Sequence, residues 1–193
     1  MEDALSVSRD AEEAALLVRY AKGDRQASGI LTHRLTPGVF SLALRLLGDR
    51  GEAEDVTQEA MLRLWKIAPR WRTGEAKPST WLYRVTFNLA TDRLRKRRTV
   101  PLCQIDEPLD NLPAADERMH RDARARALRA ALGTLPDRQR QAVVLRHLEG
   151  LANPEIAGMM GLSVAAVESL TARGKRKLAQ LLSGRRDELG LSE

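Results

Sequence analysis

The chain has 193 residues, of which 43% are hydrophobic and 30% are charged. This composition is too apolar for an intrinsically disordered chain and too often interrupted by charge for a protein that crosses a membrane. The formal net charge is +6 and the isoelectric point is near 10.0, which favours an anionic partner, with nucleic acid as the first candidate.

Chemistry that depends on cysteine or on a metal is not predicted. Cys103 is the single cysteine, and His33, His120 and His147 are scattered, so we expect neither an intramolecular disulfide nor a metal cluster, and no cofactor. The acidic N-terminal segment lacks the basic start and the apolar run of a signal peptide. The predicted compartment is therefore the cytoplasm.

The first half of the chain is predicted to be all helical. It is rich in Ala, Leu, Arg and Glu and lacks alternating β-branched runs. Apolar residues recur with helical spacing over residues 12–47, and Thr36, Pro37 and Gly38 are expected to break that pattern. These features predict a helical hairpin with its turn at residues 36–38.

Two further helices are predicted before residue 99. One covers residues 52–68, after a turn at residues 49–51, and is ended by Pro69. The other follows a loop and extends to about residue 98, with Ser79 or Thr80 as its cap, because a hydroxyl oxygen there can accept from an unpaired backbone amide.

Residues 99–118 are predicted to be a flexible acidic linker. They hold five acidic residues, one basic residue and three prolines, without a sustained helical or strand period. The prediction is therefore an all-α protein with a domain over residues 1–98 and a second domain over residues 119–193. The alternative is a loop that lies across one compact domain.

The second domain is predicted to contain a helix-turn-helix. Helices are expected over residues 119–132 and 137–148, and two shorter ones over residues 153–182. Asn153 is predicted to cap the first of the short helices, with Pro154 at its first helical position. Gly161 fits a tight turn that requires a positive φ, and Ser163 fits the cap of the second short helix.

The second helix of such a unit enters the DNA major groove, so its exposed side chains are candidates for reading bases. Cations that follow on the same helix would neutralise phosphates and make binding strongly salt-dependent. The alternative is an ordinary helical hairpin with a solvated basic face. The candidate residues are Ser163, Val164, Ala165, Glu168, Ser169, Arg173, Lys175 and Arg176.

The helix over residues 52–68 carries two different faces. One is an apolar stripe that indicates a core-facing side. The other mixes acids, an amide and large apolar groups, as protein-binding surfaces do. The alternative is that Trp65 packs inside and that the acids are merely solvated. The residues of this second face are Asp55, Gln58, Glu59, Leu62 and Trp65.

Aromatic and basic residues alternate between residues 70 and 98, including Trp71, Trp81, Tyr83 and Phe87. Rings can stack on unpaired bases while arginine and lysine follow the phosphate backbone, so this segment is a candidate binding site for single-stranded nucleic acid. Because only 4% of the chain is aromatic, the alternative is that these rings form the core of a small helical domain.

Together these segments resemble the extracytoplasmic-function (ECF) sigma factors of bacterial RNA polymerase. Residues 51–60 (GEAEDVTQEA) resemble the polymerase-binding motif of that family, and residues 79–95 (STWLYRVTFNLATDRLR) resemble its promoter-melting helix. Residues 135–182 resemble its second DNA-binding domain. The resemblance implies a non-enzymatic transcription initiation factor, whose linker threads near the RNA channel of the polymerase.

The resemblance also implies roles for individual residues. Asp55, Gln58 and Glu59 would contact the clamp helices of the largest polymerase subunit, with Leu62 and Trp65 extending that surface. The helix-turn-helix would read the minus-35 element as duplex DNA. The residues implied for recognition and melting of the minus-10 element are Arg72, Thr73, Gly74, Lys77, Arg84, Asn88 and Arg93.

One departure from the family bears on sequence preference. Many relatives carry a basic residue where this recognition helix has Glu168, after Ala165, Ala166 and Val167. A carboxylate there is suited to accept a hydrogen bond from cytosine N4. The minus-35 preference of better-known relatives therefore cannot be transferred to this chain.

Three functional hypotheses remain open at this point. The preferred one is a sigma factor that is held inactive by an anti-sigma factor, a partner that the resemblance also implies. The second is a stand-alone helix-turn-helix regulator, and the third is a signalling adaptor that never contacts DNA. An enzyme is least expected, because the sequence contains no convergent acid, base, nucleophile or metal cluster.

Overall fold

The computed structural model describes residues 2–72, 77–99 and 116–183, and all of the regular structure in these ranges is helical. The chain divides into two compact units, Met1–Lys96 and Arg97–Glu193. The prediction of an all-α protein is therefore confirmed. Most of the predicted acidic linker, residues 100–115, lies outside the described residues. Within the described ranges, no helix combines the length and the apolar character needed to cross a bilayer.

The first two helices are α1 (Glu2–Ala21) and α2 (Arg25–Leu47), and the turn between them lies at residues 22–24. Gly23 adopts a φ of +98°, which an L-residue reaches only with strain. Asp24 caps α2, because its carboxylate accepts from the amides of Gln26 at 2.9 Å and Ala27 at 3.3 Å. Arg19 in the last turn of α1 bonds to the same carboxylate at 2.6 Å and holds the two helices together.

The predicted break at residues 36–38 was wrong, because α2 continues through Pro37 and Gly38. A proline inside a helix costs about 3 kcal/mol. Four side chains on both sides of it, Leu31, Leu35, Val39 and Leu42, are buried, so tertiary packing outweighs that cost. At Gly38 an added Cβ would lie 3.0 Å from the Tyr83 hydroxyl oxygen, so the glycine here permits a close approach between helices rather than a turn.

Helix α3 (Arg50–Ile67) begins two residues before its predicted start. Asp49 is the cap, since its carboxylate accepts from the amide of Glu52 at 2.8 Å. Ala53, Val56, Ala60 and Leu64 are fully buried, so the predicted core-facing stripe is confirmed. A short 3-10 turn, Ala68–Arg70, follows and contains Pro69.

Helix α4 (Pro78–Thr99) completes the described part of the first unit. Pro78 occupies the first helical position, and the amide of Trp81 donates to the Lys77 carbonyl at 3.0 Å. Ser79 and Thr80 therefore lie inside the first turn, and the prediction that one of them caps the helix was wrong. The fully buried Leu82 joins the core formed by α1, α2 and α3.

The second unit contains α5 (Asp116–Gly133), α6 (Asp137–Val143), α7 (Asn153–Met160) and α8 (Val164–Ser183). Helix α6 continues as a π-helical turn, Val144–Leu148, so the end predicted at residue 147 or 148 is confirmed although the last turn is wider than an α-helix. The fully buried side chains of this core include Leu132, Leu145, Ile156 and Val167.

Candidate functional site

The face of α3 opposite its core stripe exposes the residues predicted to bind protein. Asp55 and Gln58 are exposed, Glu59 is half-buried, and Leu62 is 45% exposed, which is high for a large apolar residue. An apolar groove of about 430 Å³ lies beside Gln58, with Phe40 among its lining residues. The exposed side of α3 thus offers acidic, amide and apolar groups next to a concave surface.

Trp65 differs from the other members of this predicted face. It is half-buried, packs against the core, and lies with its ring centroid 4.7 Å from that of Tyr20, at an interplanar angle of 57°. A cavity of about 320 Å³ opens beside the pair. Trp65 therefore packs against the core near the end of α3 instead of lying fully on the exposed face.

Ion pairs hold two of the predicted acids. The Arg93 guanidinium of α4 donates to the Asp55 carboxylate at 3.2 Å, and the Arg63 guanidinium donates to the Glu59 carboxylate at 2.8 Å. The Asp55 side chain is 65% exposed in spite of its pair, so the pair is easily exchanged for a partner on another molecule. Asp55 and Arg93 come from different predicted sites, and the structure brings them together.

The exposed side of α4 carries Arg84 and Asn88, which are one helical turn apart and so lie on the same side. Arg93 lies about 140° further round the helix from Asn88, which explains why it faces α3 instead. Arg72 and Lys77, which flank the segment predicted to be a loop before α4, are exposed. Thr73 and Gly74, the other residues predicted for this site, lie outside the described residues.

The aromatic residues near α4 belong largely to the core. Phe87 is only 3% exposed, and Trp71 and Trp81 pack partly buried with their ring centroids 6.1 Å apart in a T-shaped contact. Tyr83 is half-buried and approaches Gly38. The cations and Asn88, rather than the rings, dominate the exposed surface of this helix.

Helices α7 and α8 form the predicted helix-turn-helix. Gly161 adopts a φ of +63° and Ser163 caps α8, with its hydroxyl accepting from the amide of Ala166 at 3.2 Å, so both predictions are confirmed. The predicted cap of α7 was wrong: Ala152 holds the cap position, Asn153 is the first helical residue and Pro154 the second. Glu155 compensates, because its carboxylate accepts from the amide of Ala152 at 2.9 Å.

The predicted base-reading and phosphate-contacting residues all lie exposed on α8 or at its cap. Val164 is 40% exposed, and Glu168 follows one turn later on the same side. The cations extend this surface toward the C-terminal half of the helix. The exposed residues of the predicted set are Ser163, Val164, Ala165, Glu168, Ser169, Arg173, Lys175 and Arg176.

Sequence reasoning missed two contributors to these surfaces. Tyr20 of α1 packs against Trp65 with its ring tilted, and Asn153 donates through Nδ2 to Oε1 of Glu168 at 3.3 Å. Both contacts cross between helices, so no short-range pattern reveals them. In the described part of the chain, no three His, Cys, Asp or Glu side chains come close enough together to hold a metal ion.

Comparison with known families defines the class of protein. The sequence matches the family Sigma-70 region 2 over residues 31–100 and the family Sigma-70, region 4 over residues 125–178. The first unit therefore contains a sigma region 2 domain, and the second contains a region 4 domain with its helix-turn-helix.

Individual relatives narrow the class. The chain is 34% identical to the ECF RNA polymerase sigma factor SigM of Mycobacterium tuberculosis over 88% of this chain and 84% of the relative. It is 36% identical to the ECF RNA polymerase sigma factor SigE of Mycolicibacterium smegmatis over 80% of this chain and 61% of that longer relative. The solved structure of CnrH in complex with the cytosolic domain of CnrY is similar with a TM-score of 0.61 and 27% identity, covering 90% of this chain and 98% of CnrH.

The chain belongs to the ECF sigma factors, which confirms the resemblance found in the sequence. Sigma factors are not enzymes, so the prediction of a non-catalytic protein also holds.

Proposed function

We propose that this sigma factor binds core RNA polymerase through the exposed face of α3. The observation that carries the proposal is the combination on one helix of Asp55, Gln58 and the exposed Leu62, beside an apolar groove. The partner surface would be the clamp helices of the largest polymerase subunit. Glu59 adds a second carboxylate, and Trp65 stiffens the helix end through its contact with Tyr20.

The first unit, residues 1–98 in our assignment, would also recognise and open the minus-10 element. Arg84 and Asn88 of α4 would hold the opened strand, together with Arg72, Lys77 and the intervening Thr73 and Gly74. Unstacking one base costs a few kcal/mol, and polar and stacking contacts to the flipped base offset that cost without ATP. Arg93 would join this surface when its pair with Asp55 opens.

The second unit, residues 119–193 in our assignment, would read the minus-35 element as duplex DNA. The start of α8 would enter the major groove with Val164, Ala165, Glu168 and Ser169 toward the bases. Arg173, Lys175 and Arg176 would neutralise phosphates, which makes this contact sensitive to salt. Glu168 gives the helix an acceptor suited to cytosine N4.

Control by an anti-sigma factor is part of the proposal. Its support is the similarity to CnrH, whose structure was solved in complex with the cytosolic domain of CnrY. An anti-sigma factor would compete for the surfaces that otherwise bind polymerase and DNA. The factor would act in the cytoplasm, where bacterial polymerase works.

The α3 face is tested by replacing Asp55, Gln58 and Glu59 with alanine together. We expect the affinity for purified core polymerase to fall at least about tenfold, because truncating these side chains leaves the polar and charged groups that they contact on the polymerase desolvated and unpaired. The measurement is equilibrium binding of the labelled full chain to core enzyme. All three side chains lie away from the buried stripe, so circular dichroism should report an intact fold.

The matched control is Glu12→Ala. It removes an exposed acid of α1 that pairs with Arg34 of α2. This variant should bind core polymerase like the wild type. Unchanged polymerase affinity of the triple variant would contradict the proposed role of α3. It would favour the stand-alone regulator or the adaptor instead.

A further inference from the structure

The helix-turn-helix contains one polar contact between its two helices that the capping pattern does not explain. Asn153 is the first residue of α7, and its side-chain amide donates to Oε1 of Glu168 on α8 at 3.3 Å. Ala152 holds the cap position of α7, so the Asn153 side chain is not used as its cap. The exposed face of the recognition helix is thereby tied to the preceding helix.

The chemistry of the two groups fixes the direction of this contact. An ionised carboxylate only accepts hydrogen bonds, so the amide nitrogen of Asn153 must face Glu168. The amide oxygen then points inward, where it is buried and has no hydrogen-bond partner within the described residues. A buried oxygen without a partner costs free energy, so the contact is maintained against a local penalty.

The hydrogen bond from Asn153 restricts the conformations that the Glu168 side chain can adopt. A free glutamate on a helix surface samples many rotamers, and ordering them on binding opposes association. Oε1 is held by Asn153, Oε2 has no partner among the described side chains, and Glu168 is exposed one helical turn after Val164. The hydrogen bond therefore reduces the number of rotamers that Glu168 can adopt before it binds DNA.

We infer that Asn153 is a positioning residue that orients Glu168 to read cytosine in duplex DNA. This inference rests on the proposed function of α8. On its own major-groove edge cytosine presents only the N4 amino donor, whereas adenine presents the acceptor N7, which repels a carboxylate, beside its N6 donor. Guanine and thymine present acceptors at their major-groove edges, which also repel a carboxylate. A carboxylate fixed by Asn153 thus selects a C·G pair at one position of the upstream element.

The test measures base preference rather than affinity. Full-length chain is assembled with core polymerase and mixed with promoter fragments randomised in the upstream duplex element, and the bound fragments are sequenced. We expect the wild type to prefer cytosine at one position by about tenfold, Asn153→Ala by about threefold, and Glu168→Ala not at all. The double variant should match Glu168→Ala, because Asn153 acts only through Glu168.

Asn153→Asp separates positioning from stability. An acid at the first position of α7 interacts favourably with the positive end of the helix dipole, which opposes the loss of stability from repulsion by Glu168, and circular dichroism of the variant checks that the fold is intact. The two adjacent carboxylates repel, so the preference for cytosine should drop at least as far as in Asn153→Ala. Gln180→Ala removes a carboxamide elsewhere on α8 and serves as the matched control, with wild-type preference expected.

Three outcomes overturn the inference. If Asn153→Ala and Asn153→Asp retain the full preference of the wild type, Asn153 does not position Glu168. If the wild type reads the upstream element but shows no cytosine preference that depends on Glu168, the assigned base is wrong while the proposed function stands. If no variant, including the wild type, selects any upstream sequence, the proposed reading of duplex DNA by α8 fails as well.

Discussion

Asp24 is a single side chain that joins two helices of the first unit. It caps α2 and pairs with Arg19 of α1. The hydrogen bond from Arg19, followed by the one from the Ala27 amide, lowers the pKa of the Asp24 carboxyl below its ordinary 3.8. A carboxyl whose pKa is lower in the folded state stabilises the fold above its ordinary pKa, and this stabilisation is lost as the pH falls through the folded-state pKa.

We therefore predict that Asp24→Ala lowers the melting temperature at neutral pH and that its difference from the wild type shrinks as the pH falls below 3.8. Thermal unfolding followed by circular dichroism across this range measures the effect. Asp24→Asn keeps an acceptor for the cap but loses the ion pair with Arg19. Its melting temperature should therefore lie between those of the wild type and Asp24→Ala. If the difference in melting temperature between Asp24→Ala and the wild type stays constant down to strongly acidic pH, the carboxylate charge does not contribute to stability.

Single residues could be predicted where their role is local. Gly161 and Ser163 follow from the turn and cap chemistry of a few neighbouring positions, and both predictions hold. Asn153 was wrongly predicted as a cap, because its partner Glu168 is fifteen residues away. Trp65 was placed on the exposed face with packing inside as the alternative, and its contact with Tyr20 on α1 favours the alternative for this residue.

At the scale of helices, the contact between α6 and α8 depends on a glycine. Gly174 of α8 is buried, and an added Cβ would lie 2.6 Å from Cγ2 of Val143 and 3.3 Å from the carbonyl oxygen of Gln139. Gly174→Ala should force the helices apart and destabilise the second unit by about 1 to 3 kcal/mol. Chemical denaturation of the full chain, followed by helical signal, measures this change.

Gly158→Ala on α7 is the matched control. An added Cβ there meets nothing within 4 Å, and the residue lies inside a helix. This substitution should raise stability by about 0.5 to 1 kcal/mol, because alanine loses less backbone freedom on folding. Equal effects of the two substitutions would contradict a close contact at Gly174.

The helices themselves were largely predictable, and the main failure shows why. Apolar spacing and start signals located α3 and α8 to within a few residues. The break expected at Pro37 does not exist, because local propensity is outweighed by burial of Val39 and Leu42 and by the approach of Tyr83 to Gly38. These contacts come from distant segments and are absent from any short window of sequence.

At the scale of the whole molecule, the functional prediction came from the order of recognisable segments along the chain. Residues 51–60, 79–95 and 135–182 each resemble a segment of the ECF sigma factors, and they occur in the order that the family has. The ion pair between Asp55 and Arg93 could not be predicted, since it joins residues assigned to different partners. This ion pair lies between the exposed face of α3 and α4, and its position depends on how the two helices pack.

The central claim is that this chain turns core polymerase into an enzyme that starts at chosen promoters. The most direct measurement is run-off transcription with purified core enzyme and fragments of the source genome, with and without the full chain. The account predicts discrete transcripts from defined start sites only when the chain is present, and a much lower yield of them at the same protein concentration when Asp55, Gln58 and Glu59 are replaced by alanine. Binding to polymerase without any promoter-specific transcript from any fragment would contradict it.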